Sequence, residues 1–217
     1  MPRTSPCMTD LHPWLRRRVY ELADLHEEAF PERSLALIWA HRTPQEQYSA
    51  YLAGRSKLNG RTRFSLHNYF PSLAADLWVY LDATGLDGVF YEGRPPRGKY
   101  SRLCLLKKGD FKNYYLPLAK LGKEAGLEAG AFWRRLRDGP HFQLPKKARF
   151  TACQQVLRER DFYHGKLDGI IGPRSLAAIL DACDSSGING IAKRRQLMPV
   201  TPELWSWLHL QPMDYAL

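Results

Sequence analysis

Two of the seven histidines stand in settings that could do hydrolytic chemistry. One is His67, in Ser65-Leu66-His67-Asn68-Tyr69, with Asp76 nine residues beyond it at the start of an apolar run. The other is His141, in Asp138-Gly139-Pro140-His141-Phe142. A hydrolytic zinc site takes three protein ligands from His, Asp or Glu and leaves a further position open for water. It also needs a carboxylate that is not a ligand, to take that water's proton and deliver it to the leaving amine. His67, Asp76 and His141 can supply such ligands, and Asp138 such a base. Spacing alone does not select this chemistry, because an isolated histidine is more often a packed or surface residue and Asp-Gly-Pro is an ordinary turn. The four cysteines, Cys7, Cys104, Cys153 and Cys183, form no C-x-x-C pair and read as reduced, mostly packed thiols.

The elements that would position these residues can be inferred from periodicity and capping. Residues 9–30 read as a helix started by Thr9 or Asp10, with Leu11, Leu15, Val19, Leu22, Leu25 and Ala29 at helical spacing. Leu35 to Ala40 has strand character, and Thr43 followed by Pro44 opens a helix to about Ala53. A polar, basic loop covers 54–64. Ala74 to Leu81 and Gly88 to Tyr91 read as strands, and residues 93–98 as a loop between elements. Tyr115 to Ala125 is helical and ends at Gly126. Ala131 to Trp133 and His141 to Leu144 are short strand candidates around the Asp138-Gly139-Pro140 turn. With no regular β-α-β alternation, an α+β fold around an antiparallel sheet is expected. A domain boundary is expected at Pro145-Lys146-Lys147, giving domains of 1–144 and 145–217. Beyond it lie a helix from Ala148 to Arg160, a loop over 163–172, a helix from Pro173 to about Cys183, and a last short helix from Pro202 to Leu210.

Read together, Arg42-Thr43-Pro44-x-x-Gln47, Ser65-x-His67, Asp76, Gly130-x-x-Trp133 and Asp138-x-Pro140-His141-Phe142 resemble the zinc D-Ala-D-Ala carboxypeptidase / L-alanyl-D-glutamate endopeptidase family, in its bacteriophage endolysin style. The resemblance spans residues 35–144. It implies that His67, Asp76 and His141 bind Zn2+ and that Asp138 is the general acid/base. It further implies that Arg42 steadies the substrate's oxyanion or carboxylate, and that Ser65 supports the substrate side of the site by hydrogen bonding near His67. The step from His67 to Asp76 is two residues longer than the family's, with Phe70-Pro71-Ser72 where a glycine is expected. The extra residues are expected to loop outward at little cost and leave Asp76 facing inward. Asp82 is the rival ligand but lacks the Ala-x-Asp context of Ala74-Ala75-Asp76, and Glu128 is expected only to end the preceding turn. The C-terminal segment resembles a small three-helix peptidoglycan-binding domain through Gln155, Leu157, Tyr163, Gly165, Asp168-Gly169-Ile170-Ile171-Gly172-Pro173, Ser175 and Ala178. The fold class implied is therefore an antiparallel-sheet zinc peptidase domain followed by an all-α wall-binding domain.

With 44% hydrophobic and 12% aromatic residues the chain can bury a core, which excludes global disorder. A net charge of +10, spread over both segments, suits an anionic polymer such as a cell wall, lipid or nucleic acid. No helix-turn-helix, zinc-finger or RNA-recognition signature supports nucleic acid. No apolar stretch after Arg16-Arg17-Arg18 is long enough for a signal peptide, and no run suggests a membrane span. The expectation is a monomeric endolysin-like peptidase, made in the cytoplasm without a signal peptide and acting on peptidoglycan at the wall. The alternatives are a D-Ala-D-Ala carboxypeptidase and a non-catalytic wall-binding protein with a decayed peptidase fold, the latter suggested by the altered His67–Asp76 spacing.

Overall fold

The computed structural model describes residues 6–82, 90–94, 100–102, 111–135, 137–193 and 196–210. Cys104, most of the loop expected at 93–98, and the first residues of the strand expected at 88–91 lie outside them. In chain order the elements are α1 (Pro13–Ala29), β1 (Arg33–Trp39), α2 (Pro44–Leu52), β2 (Ala74–Asp82), β3 (Phe90–Glu92), β4 (Tyr100–Arg102), α3 (Leu116–Glu124), β5 (Glu128–Ala129), β6 (His141–Gln143), α4 (Lys146–Glu159), α5 (Pro173–Ser186) and α6 (Pro202–Leu210). Internal contacts divide the chain into two compact units, Met1–Arg42 with Ser72–Leu144, and Thr43–Pro71 with Pro145–Leu217. Residues 43–71, expected with the peptidase domain, thus group with the C-terminal segment.

The first unit is an α+β layer structure. Its helix α1 starts later than the apolar spacing suggests. Pro13 disfavours helical backbone at residue 12, so His12 becomes the N-cap, its Nδ1 accepting from Trp14 N at 3.3 Å, and Met8–Asp10 is left as a separate 3-10 turn. Leu15, Val19, Leu22, Ala23 and His26 form the buried stripe of α1, which packs on β1 and α3. The sheet runs β3-β1-β2-β6-β5, with β4 also paired to β2; among the described residues the β1/β3 strand pair is parallel and the other strand pairs are antiparallel. Alternation gives each face its own core. Leu35 and Leu37 sit opposite Val79 and Leu77 on one side, while Ala36, Ile38 and Tyr80 cluster on the other under Trp39, Trp78 and Tyr91. Burying each such aliphatic chain contributes about 1.5–3 kcal/mol. A strand is found at Glu128–Ala129 and not at the expected 131–133, because Trp133 N bonds back to Gly130 O at 3.1 Å and winds Gly130–Phe132 into a 3-10 turn.

In the second unit α4, α5 and α6 pack pairwise as a three-helix cluster. Helix α2 opens with a capping box, Thr43 Oγ1 accepting from Glu46 N and Glu46 Oε2 accepting from Thr43 N, each at 3.2 Å. The segment after it is sewn to the C-terminal part of the unit. Tyr69 Oη donates to Val200 O at 3.1 Å, Trp205 Nε1 donates to Pro71 O at 3.0 Å, and Gln196 bonds Phe64 N and Thr62 O. The loop before α5 is organised by the buried Gln154, one residue before the Gln155 singled out in the sequence. Its Nε2 lies within 3.0 Å of Asp168 Oδ1 and Ile170 O, and its Oε1 accepts from Gly169 N at 2.8 Å. Gly169 needs its positive φ of 73°, and a side chain there would also meet Lys147 O at 2.6 Å.

Candidate metal centre

The β2/β6 register carries the site. Asp76, the third residue of β2, is paired with His141, the first of β6, and with Trp39 across β1. The β1/β2 register slips between Leu37 and Trp39, a bulge that sets Trp39 opposite Asp76. His141 Nδ1 lies 3.2 Å from Asp76 Oδ1, and its Nε2 lies 3.0 Å from Gln143 Oε1. Gln143 Nε2 in turn donates to Glu128 Oε2 at 2.6 Å. Trp133 covers the imidazole, ring centroid to ring centroid 5.0 Å. Arg42 Nη2 approaches Asp76 Oδ2 at 3.8 Å, with its guanidinium over the Trp39 ring.

These neighbours set the protonation of His141. Burial alone would push its pKa down. The hydrogen bond to Asp76, the charges of Asp76 and Asp138 and the contact with Gln143 outweigh that, and the pKa is raised above the ordinary imidazole value. Asp138 itself stands at the turn before β6. Its backbone N–H bonds Gly130 O at 3.1 Å and its carbonyl accepts from His141 N at 3.3 Å. A Cβ on Gly130 would come within 2.6 Å of Asp138 O, so a glycine at this position lets the two turns close on each other.

His67 is built by its own local motif. Ser65 Oγ accepts from His67 N at 3.3 Å and Ser65 N donates to Asn68 Oδ1 at 2.8 Å, a reciprocal cap on the 3-10 turn Leu66–Asn68. The imidazole is buried. Within the Phe70-Pro71-Ser72 stretch expected to loop outward, Ser72 does not protrude. Ser72 is buried and pinned, its N–H donating to Asp10 O at 2.7 Å, its carbonyl accepting from His12 N at 2.8 Å and its hydroxyl donating to Ala40 O at 2.8 Å. His67, Asp76 and His141 each offer one ligand atom, and these atoms all lie within 4.8 Å of one another. Two imidazoles and a carboxylate are the donor set that zinc takes in hydrolytic sites, so the residues present fit that ion.

Sequence reasoning missed the Gln143–Glu128 pair behind His141. Glu128 does not end a turn; it lies in β5 directly across from Gln143. The signal was a polar residue two places after His141, on the same strand face. Asp82 ends β2, six residues beyond Asp76.

No family model matches the sequence, and no curated protein matches it. Among solved structures, the chain is similar to the L-Ala D-Glu endopeptidase ChiX of Serratia marcescens, with 22% identity, a TM-score of 0.41, and coverage of 65% of this chain and 85% of that one.

Proposed function

We propose that the chain is a zinc metallopeptidase that hydrolyses the stem peptide of bacterial peptidoglycan at the L-alanyl-D-glutamate bond. Residues 1–144 would carry the catalytic domain and 145–217 a wall-binding domain. The observation that carries this reading is the convergence of His67, Asp76 and His141, together with Asp138 close enough for its charge to act on His141. The motifs around these residues, Ser65-x-His67 and Asp138-x-Pro140-His141-Phe142, support the same chemistry. When bound, zinc supplies Lewis acidity, polarising a carbonyl and making water nucleophilic near neutral pH. The protein's own groups do the rest. Gln143 holds the proton of His141 on Nε2, which leaves Nδ1, the atom facing Asp76, as the ligand nitrogen. Asp138 takes the proton from the attacking water and passes it to the leaving amine. Arg42, always charged and already beside Asp76, offsets the negative charge that develops on the carbonyl oxygen. Ser65 fixes the turn that presents His67.

In the C-terminal segment, the groove flanked by Lys146, Lys147, Phe150, Asp168, Ile170 and Ile171 is the surface we assign to the wall polymer. The loop that forms it is held rigid by Gln154. Docking there raises the concentration of enzyme at an insoluble substrate without changing the chemistry.

The test is hydrolysis of a soluble peptide containing the L-alanyl-D-glutamate bond. Chelation should abolish cleavage and zinc should restore it. Asp138→Asn should keep the metal and lose about 10²–10⁴-fold in kcat, the usual contribution of a general base. Cleavage insensitive to chelator would overturn the metallopeptidase reading. Release of the terminal residue from a D-Ala-D-Ala peptide, with the L-alanyl-D-glutamate bond left intact, would replace the endopeptidase assignment by a carboxypeptidase.

A further inference from the structure

The loop after α2 has a construction that the hydrolytic site does not require. Between Glu46 and Asp76 the sequence contains no acidic residue, while Arg55, Lys57, Arg61 and Arg63 fall within nine positions. All four are exposed, and among the described residues none is in an ion pair. Exposed cations on a floppy loop would be ordinary, but this loop is rigidly built. Asn59 Oδ1 accepts from the backbone N–H groups of Arg61, Thr62 and Arg63 at 3.1, 2.9 and 2.9 Å. Gln47, buried in α2, donates to Ser56 Oγ at 2.6 Å and Leu58 O at 2.9 Å, and Gln196 Nε2 donates to Thr62 O at 2.6 Å.

Apolar groups are set among these charges. The Arg61 guanidinium lies 3.6 Å from the centre of the Tyr48 ring, and Tyr48 stacks with Tyr51 at 6.3 Å. That ladder ties the cationic loop to the end of α2, where Tyr51 is 43% exposed and Leu52 67% exposed. Cations on a loop that follows directly on an exposed tyrosine and leucine, and is tied back to them through Arg61 and Tyr48, match an anionic lipid interface. Each basic side chain gains from the negative surface potential, tyrosine favours the headgroup level, and leucine reaches the acyl boundary. A soluble polyanion would satisfy the cations but would leave Leu52 nothing to bury against. We propose that this surface, Tyr51 and Leu52 with Arg55, Lys57, Arg61 and Arg63, is a docking site for an anionic phospholipid membrane. It is independent of the peptidase reading, since neither the metal ligands nor Asp138 take part.

The experiment is co-sedimentation of the full chain with vesicles of phosphatidylglycerol and phosphatidylcholine, against vesicles of phosphatidylcholine alone. Binding should require the anionic lipid. Arg55→Gln/Lys57→Gln/Arg63→Gln should weaken it by roughly fivefold for each charge removed. Leu52→Ser should weaken it severalfold while leaving its dependence on salt unchanged. As control, Lys112→Gln/Lys120→Gln/Lys123→Gln, three exposed cations elsewhere in the chain, should retain most of the binding. All the substituted side chains are exposed, and circular dichroism verifies that each variant is folded. Inorganic phosphate or glycerol phosphate at millimolar concentration should not displace the protein. Displacement would assign the site to a free phosphate ligand. Equal loss in the two triple variants would reduce the effect to diffuse net charge, and failure of the folded wild type to sediment with anionic vesicles would overturn the proposal. Unaltered vesicle binding by Leu52→Ser, with equal affinity for duplex DNA, would also overturn it in favour of a soluble polyanion.

Discussion

His141 is where the local chemistry converges. One ring nitrogen faces Asp76 and the other faces Gln143, whose amide is held by Glu128. The direction of that second chain is fixed by donors and acceptors: the amide nitrogen must donate to the carboxylate, so the amide oxygen is left to accept from the imidazole. Gln143→Ala should therefore weaken zinc affinity by about 10–100-fold, the range for groups that orient a ligating histidine. Competition against a chromophoric chelator measures it, and an unchanged affinity would remove Gln143 from the site. Because His141 holds its proton above the ordinary imidazole value and ligation must expel it, zinc affinity should fall as pH falls. The sequence offers His67, Asp76, Asp138 and His141 as candidates because their residue types and neighbours are specific, and the first, second and fourth form a group that could hold a metal ion. Gln143 and Glu128 were not legible there, since their meaning depends on which residues face each other across β5 and β6.

At the scale of elements, most of the sheet could be read from alternation. Ala74 to Leu81 alternates between two buried faces, and β2 is found over those residues. Capping chemistry located α2 to within a residue of its ends. The failures were at proline and at a close turn. Pro13 moved the start of α1, and the backbone approach between Gly130 and Asp138 turned an expected strand into a 3-10 turn. Periodicity is silent about both, because both depend on where the chain must stop and not on which face is apolar. Helix α1 also holds a titrating core residue. Burial first, then the charge of Arg33, lower the pKa of His26 from 6.5 to about 4. The neutral form is the one the fold accepts, so this contribution is fully present above pH 6.5 and is lost as pH falls toward 4. A shift of this size corresponds to roughly 3 kcal/mol. In urea titrations His26→Gln should lose less stability than wild type between neutral pH and pH 4. Parallel curves would show that α1 does not tie its packing to that imidazole.

At the scale of the whole molecule, composition correctly indicated a chain able to bury a core, and among the described residues no helix is long and apolar enough to cross a membrane. The contact units were not legible, because long-range partners decide them. Residues 43–71 hold His67 and are bonded to Val200, Gln196 and Trp205. Deleting 145–217 leaves those backbone and side-chain groups without partners and opens the packing around Tyr69, which is 0% exposed. The isolated 1–144 fragment should therefore lose ordered metal binding as well as any wall affinity. A fragment that folds and retains metal would mean that residues 43–71 keep their structure alone. Elemental analysis of purified protein tests most directly whether His67, Asp76 and His141 hold one metal ion. One zinc per chain is expected in the wild type, with its loss in both His67→Ala and His141→Ala and folding preserved. Zinc retained at full stoichiometry in either variant, or absent from wild-type protein that hydrolyses the wall peptide, would contradict that expectation.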